Sequence, residues 1–85
     1  MPDYNPVYLR YCAEHGETDP DVMLAKDSER YTGGRMAGFL LWVSAKRRAF
    51  HTSNPKAFFQ GSAASGISDL GAWYRFLGVP AKEGD

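Results

Sequence analysis

The sequence holds one cysteine, no long apolar run and no alternating run of β-branched residues, and across residues 30–56 it has no acid. A lone Cys12 makes neither an intrachain disulfide nor a four-thiolate zinc site, so a reducing, cytoplasmic setting is expected. The longest apolar stretch, residues 36–43, is interrupted by Gly38 and falls far short of the roughly 20 residues that a spanning helix needs, so no membrane insertion is expected. Met1-Pro2-Asp3-Tyr4-Asn5-Pro6 lacks the basic and apolar regions of a secretory signal, and no export is predicted. The missing alternation argues against strands. At 85 residues the chain is too short for a multidomain enzyme, and it reads as a single helical domain over residues 1–80 with a frayed tail over 81–85.

What the sequence does have is aromatics and helix starts. Five Phe, five Tyr and two Trp give a short chain enough bulk for a core, although more than its interior can enclose. Asn5-Pro6, Asp19-Pro20 and Asn54-Pro55 each place a side-chain acceptor before a proline suited to the first helical turn. The first predicts a helix from 6 to about 15, with Val7, Tyr8, Tyr11 and Cys12 on one face and Gly16 closing it. Asp19 opens a second segment, from 20 to about 31, whose apolar face is thin: Val22, Met23, Leu24 and Ala25.

Residues 35–51 form the strongest pattern. Met36, Phe39, Leu40, Val43 and Phe50 share a face that Leu41 and Trp42 widen, which marks a central helix. Asn54 starts a short segment over 56–60, and the small residues 61–66 read as mobile or a hinge. Ser68 is the expected cap of a last helix carrying Leu70, Trp73, Phe76 and Leu77, with Ile67 as a staple and Gly78 as the stop. The predicted fold is all-α: a small orthogonal bundle of four to five short helices around the central helix.

A formal net charge of zero conceals segregation. Residues 1–29 carry −5, residues 30–56 carry +6 and residues 57–85 carry −1. The basic stretch ends its helix with Lys46, Arg47, Arg48 and His51, a cationic tip favoured by the helix dipole. Two readings follow. Cations beside surplus aromatics have the composition of protein contact surfaces, which points to a noncatalytic accessory or regulatory module that docks on a larger macromolecular partner. Its contact residues are then Arg35, Arg47, Arg48, His51 and Phe59, backed by Phe39, Leu40, Val43, Trp73 and Leu77. The alternative is nucleic-acid binding by segment 30–56 through phosphate contacts. Overall neutrality and seven acids in residues 1–29 weigh against it. Pairing of the acidic first third with the basic middle third between chains would give a homo-oligomer.

Catalytic motifs are thin. Thr32-Gly33-Gly34-Arg35, ahead of the central helix, is a candidate anion-binding turn, with Thr32 as a cap, but it lacks the length and the Lys-Ser/Thr of a P-loop. Cys12 and His15 share a helix face, yet Cys12 also belongs to the apolar stripe, where a cysteine is ordinarily inert. Asp19, Asp21, Asp27 and Glu29 lack the spacing of a calcium loop and read as capping and solubilising groups. No metal site, cofactor or enzymatic activity is predicted.

Overall fold

A computed structural model describes residues 5–79, which form four α-helices and no strand. These are α1 (Pro6–Glu14), α2 (Pro20–Arg30), α3 (Ala37–Ser53) and α4 (Leu70–Leu77). Two short 3₁₀ turns, Pro55–Ala57 and Phe59–Gly61, lie between α3 and α4. The expected all-α class is what the chain adopts. Among the described residues no helix is long and apolar enough to cross a membrane. The expected tail over 81–85 lies outside the described residues. The chain divides into two compact units, Met1–Ser44 and Ala45–Asp85.

In the N-terminal unit the helix ends follow local chemistry. The Asn5 side chain accepts from Val7 N–H at 2.8 Å, and Asp19 accepts from Asp21 N–H at 2.9 Å. Each satisfies a donor that the first turn leaves unbonded. Gly16 closes α1 at φ +73°, where Glu17 N–H donates to Cys12 O at 2.9 Å and Gly16 N–H to Ala13 O at 3.0 Å. This paired pattern needs the left-handed conformation that glycine adopts without strain. Tyr8, Tyr11, Cys12 and Met23 are buried together, with Leu24, Phe39 and Trp42 packed against them. Tyr11 lies 5.5 Å, centroid to centroid, from both Phe39 and Trp42. Offset and edge-to-face contacts of this kind are the favoured aromatic geometries.

The same core holds an acid. Asp27 is fully buried, accepts a hydrogen bond from the Tyr11 hydroxyl at 2.5 Å through Oδ2, and has no partner for Oδ1 among the described residues. That corrects its reading as a solubilising surface carboxylate. The reason is periodicity: Asp27 follows Met23 by one helical turn and shares its inward face. Gly38, also buried, makes the arrangement possible, because a Cβ there would stand 2.6 Å from both the Tyr11 hydroxyl and Tyr31 Cε2.

The core of the C-terminal unit is apolar. Phe50 is completely buried, and its ring lies 5.6 Å from Phe58, 5.2 Å from Trp73 and 5.2 Å from Phe76. Ala57, Leu77 and Val79 complete the buried set. Two expected caps are corrected here. Asn54 makes no side-chain cap bond. Asp69, not Ser68, caps α4 by accepting from Ala72 N–H at 3.1 Å, while Ser68 N–H is engaged by Ala57 O at 2.7 Å. Ile67, expected as a staple, pairs its backbone with Phe58 in an isolated antiparallel bridge. Gly78 ends α4 at φ +86° with the same paired bonds as α1, from Val79 to Tyr74 and from Gly78 to Arg75.

Candidate interaction surface

The buried and half-buried positions of α3 fall at 37, 38, 39, 42, 43, 46, 47, 50 and 51, a stripe with helical spacing. Two consequences follow. Leu40 and Leu41 lie off this stripe and are 59% and 63% exposed, which corrects the placement of Leu40 in the core. Lys46 and Arg47 lie on it, so only Arg48 of the three successive cations is exposed.

Arg47 is half-buried and turned to its own unit. Its guanidinium donates to the carbonyl oxygens of Ser65 and Ala63 and lies 5.4 Å from the centroid of the Phe58 ring. His51 Nε2 donates to Gly61 O at 2.8 Å, and its ring meets Phe58 edge-on at 4.8 Å. Ser65 adds to this, its hydroxyl sharing its one proton between Phe59 O at 2.5 Å and Ser62 O at 2.7 Å. Segment 61–66 is therefore tied down, contrary to the expectation of a hinge. Its small side chains bury little, but the Ser65 hydroxyl bonds it from within and Arg47 and His51 hold its carbonyls from outside. Gln60, at φ 56° and ψ 20°, turns the chain into it.

Of the five expected contact residues, then, Arg47 and His51 converge on Phe58 and clamp a loop. Arg48 and Phe59 stay exposed in the same unit, with the Phe59 ring against Gly66. Arg35 belongs to the N-terminal unit, exposed in the turn before α3 and next to Met36. Met36 is 40% exposed, and its carbonyl accepts from Leu40 N–H at 3.0 Å. Met36, Leu40 and Leu41 are thus three exposed apolar residues within about one and a half turns at the start of α3, an apolar step with exposed Arg35 directly before it. Leu41, expected only to widen the core stripe, is part of this step instead. Placing Phe39, Trp42, Val43 and Phe50 inward, with the last three 3, 4 and 11 residues after the first, turns Leu40 and Leu41 outward, a signal already present in the sequence.

Among the expected anion-binding residues, Gly34 N–H donates to Tyr31 O at 3.3 Å and Ala37 N–H donates to Gly34 O at 3.1 Å. Helix α3 starts at Ala37, two residues later than expected, which leaves Thr32 too far upstream to cap it. Cys12 is 2% exposed, and burial pushes its thiol pKa up, away from the reactive thiolate. His15 Nδ1 donates to Tyr11 O at 2.9 Å. Among the described residues no three His, Cys, Asp or Glu side chains are grouped to hold a metal. Comparison with family models, curated proteins and solved structures gives no match for this chain.

Proposed function

We propose that this protein is a small noncatalytic protein-binding module, an accessory or regulator that docks on a larger macromolecular partner through the exposed start of α3. The observation that carries the reading is the pair of adjacent leucines, Leu40 and Leu41, 59% and 63% exposed beside Met36. Burying a leucine side chain contributes about 1.5–3 kcal/mol, so a partner covering this step gains from each. Arg35 at its edge supplies a fork of donors that suits a carboxylate on the partner. Exposed Arg48 and Phe59 offer a second cation and ring in the C-terminal unit. A single free cysteine, buried at Cys12, suits work in a reducing, cytoplasmic setting.

The test is capture of partners from native lysate by the tagged full chain after nuclease treatment, with wild type, L40E/L41E and R48E/F59A compared side by side. One protein retained in stoichiometric amount by wild type, and at least tenfold less by L40E/L41E, is the expected result. Because both leucines are exposed, circular dichroism of L40E/L41E should match wild type. Equal capture by wild type and both variants refutes the reading. Retained material that disappears with nuclease, and whose binding falls steeply with salt, would transfer the function to phosphate contacts by segment 30–56.

A further inference from the structure

Helix α2 is held to the N-terminal unit by little. Apart from Pro20, Met23, Leu24 and Asp27, all its residues are exposed. Of its two buried side chains one is Met23 and the other is a carboxylic acid. By contrast α1 buries Val7, Tyr8, Tyr11 and Cys12. Asp27 weakens the contact that it makes. Taking a carboxyl group out of water is costly unless its oxygens are satisfied, and here Tyr11 satisfies Oδ2 while Oδ1 has no partner among the described residues. When α2 lifts, that carboxyl group regains water, which favours the open form, while the Tyr11 bond and the contacts of Met23 and half-buried Leu24 are lost. Outside the core, the Lys26–Glu17 ion pair at 2.8 Å adds only an exposed restraint.

We propose that α2 is a cover built to lift: it opens by local unfolding from the Tyr8–Tyr11–Cys12 face, well before the unit as a whole unfolds, and Asp27 sets how readily it does so. The open form presents an aromatic face and the thiol of Cys12, both of which are sealed in the closed form. This inference stands on the packing of α2 alone and does not depend on the binding role of Leu40 and Leu41. Local opening of this kind is the expected behaviour of an element with few buried apolar contacts.

Hydrogen exchange of the full chain, read helix by helix, tests it. In wild type the amides of α2 should exchange at least tenfold faster than the slowest amides of α1 and of the α3 segment before Ser44. D27L/Y11F replaces the acid and its hydroxyl partner together with apolar side chains of similar size, leaving no orphaned polar atom, and should slow exchange in α2 by at least tenfold, with little change in α1. Y11F removes the partner of Oδ2 and should speed it. Labelling of Cys12, the only thiol in the chain, should follow the same order: Y11F faster than wild type, and D27L/Y11F slower. Exchange of α2 in step with α1 in wild type would overturn the proposal, even if neither variant folds. So would exchange of α2 in D27L/Y11F that is as fast as in wild type.

Discussion

The two units solve the same problem with different chemistry. The C-terminal unit keeps its interior apolar, around Phe50, Phe58, Trp73 and Leu77, and places its polar clamps at the edge, where Arg47 and His51 reach loop carbonyls. The N-terminal unit brings polarity inside: two tyrosines, one cysteine and the carboxyl group of Asp27 share its core. An apolar core gains from each buried ring and tolerates imprecise contacts. A core organised by a hydroxyl–carboxylate bond has one arrangement that satisfies it, and it loses more when that arrangement is disturbed. The lesson is that buried volume sets the strength of one unit and hydrogen-bond geometry sets the definition of the other.

The strongest way to break the contrast is F50A. Removing a completely buried ring with three aromatic neighbours should cost about 3–5 kcal/mol. Near-ultraviolet circular dichroism and denaturant melts should then show the C-terminal unit lost. G38A comes next and acts on the other unit. Its methyl group would sit 2.6 Å from the Tyr11 hydroxyl, forcing apart the bond to Asp27. The expected loss is about 1–3 kcal/mol from overpacking, partly offset by the better helix propensity of alanine. A stabilised G38A would show that the tyrosine–aspartate geometry does not define the core.

R47A should have a smaller and local effect. A hydrogen bond to a charged donor contributes about 1.5–3 kcal/mol, and the partial exposure of Arg47 reduces that to about 1 kcal/mol. Hydrogen exchange and proteolysis within segment 61–66 should accelerate while α4 stays protected. The smallest effect concerns Glu17. Lys26 beside it, and then the Asp19 N–H at 3.1 Å, hold its carboxyl below the usual glutamate range. A depressed acid contributes stability above its unfolded pKa of about 4.3 and loses it as pH falls through the folded value. Carbon-detected titration of Glu17 should therefore show a lowered midpoint that returns toward normal in K26Q or in 1 M salt.

Much of the fold is legible in the sequence because it is written locally. Asn5 and Asp19 cap their helices, and Gly16 and Gly78 end theirs, through bonds that span only a few residues. The interior of α3 is partly legible. Apolar character at Leu40 and Leu41 draws its stripe too wide, since the spacing of Phe39, Trp42, Val43 and Phe50 already fills the inward face. Asp27 escapes a reading by residue type because an acid in a helix usually faces water; its place one turn after Met23 is the signal. The order of segment 61–66 is not legible at all. It depends on Arg47 and His51, 18 and 10 residues away from the carbonyls that they bind. The cationic character that suggests a contact surface in those two residues is spent on the chain itself.

Helix α3 has one more consequence, in the kinetics of folding. It sends Phe39 and Trp42 into one core and Phe50 into the other, so neither core forms until its part of this helix is in place. Helix–coil relaxation takes about 0.1–1 μs, whereas collapse of a chain of roughly this size takes up to about 10–100 μs. A mutation that weakens α3 without touching either core, such as A45G on its exposed face, should slow the folding of both units together, whereas defects in α2 or α4 should register mainly in the rate at which one of them comes apart.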